Sequence, residues 1–169
     1  MAEKIQPGRS KEESQCQCTA IRKASRRISQ LYDAALAPSG LKTTQRAILA
    51  QIRRSQPAPV GALAEALVMD AGGLAHTLKP LARDGLIAIE VDPKDRRNRL
   101  IRLTRSGQAK LKESDALWEA AQRSFVAGFG GAESDALREV MRRLVSDDFA
   151  QAFESALSPP AQIERHRTL

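Results

Sequence analysis

The stretch VGALAEALVMDAGGLAHTLKPLARDGL, residues 60–86, decides the fold. Val60 to Leu67 reads as a short helix, and Val68-Met69-Asp70 as a turn. Asp70 is a residue type whose carboxylate caps a helix, accepting from the backbone N–H groups that the first turn leaves unpaired. Ala71 to about Arg83 then predicts a second helix, with Leu74, Leu78 and Leu81 returning at three- and four-residue steps. Gly85 is placed to end it, because glycine takes the left-handed backbone that closes a helix. Two short helices joined by a three-residue turn form a helix-turn-helix, whose second helix can enter a DNA major groove.

Immediately downstream the periodicity changes. Leu86 to Val91 and Arg99 to Leu103 are short β-like runs, and Asp92-Pro93-Lys94-Asp95-Arg96-Arg97-Asn98 between them is a polar turn. That spacing predicts a β-hairpin with a charged tip, a "wing" on the helix-turn-helix. Residues 94–112 hold eight Lys/Arg and one acid, Asp95. Upstream, Ile21, Ala24, Ile28, Leu31, Tyr32 and Ala35 form one apolar stripe of a helix that Pro38-Ser39-Gly40 stops. A second helix runs from about Thr44 to Arg54, with either Thr43 or Thr44 as its cap. Gln56 to Pro59 is a non-helical connector. After the wing, Thr104 caps a helix to about Phe125, and one last helix spans about Glu133 to Ala156. Residues 1–14 read as a disordered arm and 158–169 as a tail.

Composition agrees with this outline. The 169 residues suit one domain with a core of its own. Twenty-seven alanines against six aromatics favour helix, and so few rings argue against a base-stacking binder of single strands. Lys+Arg 27 against Asp+Glu 20 gives +7, which points to an anionic partner, nucleic acid before membrane. No apolar run is long enough for a transmembrane helix, and Met1 to Ser14 lacks the apolar segment of a secretory signal. Two cysteines, Cys16 and Cys18, exclude a disulfide scaffold and fit a reducing cytoplasm. His76 and His166 are far apart, no cluster has metal-ligand spacing, and no nucleophile elbow, phosphate loop or apolar carboxylate pair occurs, so neither enzyme, metal site nor cofactor is expected.

The detail resembles the MarR (multiple antibiotic resistance regulator) family across roughly residues 20–150. Leu41 with Gln45 is similar to the entry of that family's second helix, and Leu63-Ala64 with Leu67 to its positioning helix. Leu81 followed by Asp84-Gly85-Leu86-Ile87 resembles its recognition-helix exit. Asp92-Pro93-Lys94-Asp95-Arg96-Arg97 followed by Leu103-Thr104-Arg105-Ser106-Gly107 resembles its wing signature. The resemblance implies a mainly helical winged helix-turn-helix lobe at 41–104 and dimerisation helices at 15–37 and 105–157. It further implies a homodimer on pseudo-palindromic double-stranded operators, usually as a repressor.

The candidate DNA contacts are Thr43, Thr44, Gly72, Gly73, His76, Thr77, Lys79, Arg96, Arg97 and Arg99. A planar guanidinium at a hairpin tip suits a narrow minor groove, and Arg97 best matches the family's inserting residue. Asp95 is expected to pair with one of the two tip arginines; the alternative is an ordinary solvated turn. Gly72 and Gly73 offer no side-chain reader but allow close backbone approach, and with Pro80 they make the helix intrinsically poor. Specificity is therefore expected to lean on DNA shape. Cys16 and Cys18 are candidate redox sensors or small apolar interface residues. Two cysteines at i and i+2 of a helix point apart, which favours an intersubunit bond over an internal one. A pocket for an aromatic or anionic effector, the family's other route to control, has Arg22, Arg26, Tyr32 and Trp118 as candidates. The rival to a sequence-specific regulator is a less specific architectural DNA binder.

Overall fold

The structure is a computed structural model and describes residues 16–157. The arm at 1–14 and the tail at 158–169, with His166, lie outside the described residues. The chain divides into two compact units, the boundary falling after Gln122.

In the first unit, α1 (Gln17–Leu36) ends in a 3₁₀ turn, Ala37–Ser39, closed by Gly40 at φ 70°. Then follow α2 (Thr43–Ser55), β1 (Ala58–Pro59), α3 (Val60–Ala66), α4 (Ala71–Arg83), β2 (Ile87–Val91), β3 (Arg99–Leu103) and the start of α5 (Arg105–Phe129). The sheet order is β1-β3-β2, all antiparallel, with Ile87 opposite Leu103 and Val91 opposite Arg99. The wing is thus three-stranded where the sequence predicts two. The connector adds Ala58 opposite Ile101, and Pro59, which has no N–H to offer, sits on the edge strand where that loss is tolerated.

The core is one cluster: Ile48, Leu49 and Ile52 of α2, Leu63 of α3, Leu74, Leu78 and Leu81 of α4, Ile87, Ile101 and Leu103 of the sheet, and Leu111 of α5. The leucines whose spacing announces α4 are therefore those that hold it. Buried packing compensates for two glycines and Pro80, through which the helix continues unbroken to Arg83. Val68, in the turn between α3 and α4, is a β-branched residue at φ 52° with 69% of its surface exposed.

Two helix starts differ from the sequence reading. Neither Thr43 nor Thr44 is the N-cap of α2; Lys42 is, and its N–H donates to Gln45 Oε1 at 2.9 Å. The capping carboxylate comes from α1: Asp33 Oδ1 accepts from Thr43 N at 2.7 Å and from Thr43 Oγ1 at 2.8 Å.

In the second unit the single last helix of the sequence reading is two, α6 (Gly131–Leu144) and α7 (Asp147–Leu157). Ser146 Oγ donates to Arg143 O and accepts from Phe149 N, so it closes one helix and caps the next, and Asp147 and Asp148 follow in the first turn of α7. Continuous apolar periodicity conceals this serine-acid start signal. Among the described residues no helix is long and apolar enough to cross a membrane.

Candidate nucleic-acid interface

The recognition-type helix is α4. Asp70 caps it as the sequence predicts, Oδ1 accepting from Gly73 N at 2.7 Å. Gly73 leaves room for this cap. A Cβ at Gly73 would lie 2.8 Å from Asp70 Oδ2, and one at Gly72 would lie 3.2 Å from Oδ1. Buried Leu74, Leu78 and Leu81 define the inner face, leaving Gly72, His76 and Lys79 exposed on the outer one. Thr77 is partly buried, and its hydroxyl donates to Gly73 O at 3.0 Å, so its donor is already used.

At the wing tip the backbone is fixed by short acceptors. Asp92 Oδ1 accepts from Lys94 N, and Asn98 O accepts from Asp92 N. Asp95 does not pair with Arg96 or Arg97. Its Oδ1 accepts from the Arg97 backbone N–H at 3.0 Å and its Oδ2 from the Asn98 amide at 3.2 Å, the local turn for which aspartate is suited. Arg99 folds back, Nη1 donating to Arg96 O at 2.9 Å and Asn98 O at 3.2 Å. Among the described residues Arg96 and Arg97 form no ion pair, and both are exposed. The hydrogen-bonded loop thus presents two guanidinium groups that form no ion pair among the described residues. Between wing and α4 lies a cleft of about 440 Å3, walled by Val60, Ala75, Leu78, Ile89 and Ile101 and edged by Lys79, Arg97 and Arg99. Of the remaining candidates, Thr44 is exposed at the start of α2, and Thr43 is committed to Asp33.

The pocket candidates separate. Tyr32 is buried and meets Trp118 edge-on, with centroids 5.1 Å apart; its hydroxyl donates to Gln122 Oε1 at 3.2 Å. Arg22 and Arg26 are exposed, and Arg26 lines a groove with Lys23, Arg27 and Gln30 instead. The cation on the aromatic pair is Arg46, which sequence reasoning missed. Its guanidinium lies 4.4 Å from the Trp118 ring, and its side chain is 8% exposed. Nε donates to Ser114 Oγ at 3.1 Å and Nη2 to Asp115 Oδ1 at 2.7 Å. Burial pushes the Arg46 pKa down, and the adjacent Asp115 carboxylate opposes that shift. No local pattern announces this cluster, because α2 and α5 meet only in the fold.

Cys16 and Cys18 are both exposed. Cys16 is the N-cap of α1, extended at φ −77° and ψ 102°, and its Sγ accepts from Thr19 Oγ1 at 3.2 Å and Thr19 N at 3.5 Å. Those hydrogen bonds hold its pKa below the ordinary thiol value. The objection to an internal disulfide assumed that both cysteines were helical. With Cys16 extended, that objection lapses.

A MarR family profile matches residues 39–98, the whole helix-turn-helix and the wing as far as its tip. The transcriptional activatory protein BadR of Rhodopseudomonas palustris is 36% identical over 77 residues, which are 44% of this chain and 44% of BadR. The chain therefore matches under half the length of that relative. The M. tuberculosis transcriptional regulator MosR, solved in complex with DNA, is 32% identical with a TM-score of 0.73, over 85% of this chain and all of that one. The transcriptional repressor CouR, bound to a 23-mer DNA duplex, shares the fold at 21% identity with a TM-score of 0.75, over 83% of this chain. These relatives control transcription and are not enzymes. With the family's motif across its wing and helix-turn-helix, and MosR's fold along 85% of its length, the chain belongs to the MarR family of transcriptional regulators.

Proposed function

We propose that this regulator is a cytoplasmic homodimer that binds a pseudo-palindromic double-stranded operator and represses transcription until a small aromatic or anionic ligand releases it. The observation that carries the DNA reading is the wing tip, where Asp95 and Arg99 fix the loop while the guanidinium groups of Arg96 and Arg97, beside α4, form no ion pair among the described residues. MosR and CouR, both solved on DNA, support the same partner. The exposed apolar residues Ile21, Ile28 and Leu31 on α1, and Val140, Phe149 and Phe153 on α6 and α7, support a second copy that covers them. BadR activates and CouR represses. Repression is the reading preferred here, since occluding a promoter needs no further partner surface. Release by a ligand rests on the family resemblance, and Arg46 over Trp118 is the buried cation and ring that such an anion would meet.

Arg97→Ala is expected to weaken operator binding roughly tenfold or more in a gel shift, as loss of a groove-inserted guanidinium should. Unchanged affinity would remove the wing from the interface. A footprint confined to a palindrome separates the specific regulator from an architectural binder, which would coat the duplex uniformly.

A second reading, control by thiol oxidation, is favoured by the exposed Cys16 cap with its lowered pKa. Peroxide should then release the wild type from DNA but not Cys16→Ser, whose hydroxyl keeps the helix cap intact. Release of both proteins alike would exclude Cys16 as the sensor.

A further inference from the structure

The polar side chains of α4 and its cap can be accounted for one by one. Asp70 is spent on the Gly73 N–H, Thr77 on the Gly73 carbonyl, and Arg83 on Asp84 at 2.9 Å. Two remain uncommitted among the described residues, His76 and Lys79, and both are exposed. They differ in position. Lys79 shares the cleft with Arg97 and Arg99, where three cations edge a trough between helix and wing. His76 is not among the cleft residues and lies on the outer face, one turn on from Gly72.

We infer that His76 is the specificity-determining residue of this interface, reading the major-groove edge of one purine per half-site, while Lys79, at the edge of the cleft, holds the phosphate backbone. The inference rests on the DNA-binding reading above and divides its labour. An imidazole N–H donates one directional hydrogen bond, and a purine N7 accepts it; guanine adds O6 as a second acceptor and is the favoured base. An ammonium on a flexible stem is a point charge suited to phosphate. Beside His76 the helix presents Gly72 and Ala75, which have no hydrogen-bonding group. Direct hydrogen-bonded readout by α4 is therefore confined to one position in each half-site.

The test is selection from a random duplex library by the wild type, His76→Ala and Lys79→Ala, followed by titration of the selected sites in salt. Both residues are exposed, so both variants should fold as the wild type does. His76→Ala should lose its preference at one symmetric purine position, bind the best site about tenfold more weakly and keep the wild-type salt slope. Placing 7-deazaguanine at that position should weaken the wild type but leave His76→Ala unaffected. Lys79→Ala should weaken all sequences alike and reduce the salt slope by about one. An unchanged base preference for His76→Ala, or a preference lost in Lys79→Ala, overturns the inference. If the wild type itself enriches no site, the sequence-specific regulator reading fails instead.

Discussion

Gly107→Ala is expected to destabilise the DNA-binding unit by about 3 kcal/mol or more. Gly107 is buried in the first turn of α5, and a Cβ there would lie 1.9 Å from the backbone oxygen of Leu86. No rotamer change relieves a clash with a carbonyl. That carbonyl is also held, because it accepts from Thr104 N at 3.1 Å. Thr104 Oγ1 meanwhile donates to Gly85 O at 2.6 Å and accepts from Gly107 N at 3.0 Å. The helix exit at Gly85, the start of β2 and the start of α5 are thus bound into one knot, and the methyl must displace all three. At roughly 2–4 °C per kcal/mol for a chain of this size, the midpoint of a thermal melt should fall by about 10 °C. Gly128→Ala is the control. Nothing lies within 4 Å of its Cβ position, and alanine in this last turn of α5 should leave stability unchanged or raise it by a fraction of about 1 kcal/mol. A Gly107→Ala melt within about 2 °C of wild type would mean that α5 does not approach Leu86 this closely.

The second large effect is expected at Asp115. Asp115→Ala leaves the Arg46 guanidinium buried with only Ser114 Oγ and the Trp118 face, and it also removes the partner of Arg53 at 3.3 Å. Stripping a partner from a buried charge costs about 3–5 kcal/mol when both are fully enclosed. Asp115 is 32% exposed, so solvent softens the loss, and about 2–3 kcal/mol is expected. The double variant Arg46→Met with Asp115→Ala removes the stranded charge and should be more stable than Asp115→Ala alone. Urea denaturation of the four proteins closes the cycle, and strictly additive losses would show that the pair does not interact.

The helix-turn-helix is legible from sequence because its signals are local and agree. Asp70, the leucine spacing and Gly85 each mark α4, and its bounds fall where those residues place them. The wing is legible for the same reason, down to β3 at Arg99–Leu103. Features that depend on distant partners are not. The carboxylate that caps α2 is Asp33 on α1, so choosing between Thr43 and Thr44 by local rules misses it. Arg46 looks like one more helix-surface base until α5 supplies Ser114, Asp115 and Trp118. At the wing the chemistry is foreseen but the partner is not: Asp95 does shape the tip, through the backbone N–H of Arg97 and not its guanidinium. Gly107 is conspicuous only as a motif letter until the Leu86 carbonyl explains it.

Val68 gives the turn between α3 and α4 a mechanical character. A left-handed backbone is costly for a β-branched side chain, and with 69% of its surface exposed this one recovers little by packing. Glycine there would relieve the strain but would also open many neighbouring conformations. Valine keeps few, so the elbow works less like a hinge than like a bracket. An elbow of this kind narrows the range of angles at which α3 can carry α4, and it does so at the expense of stability.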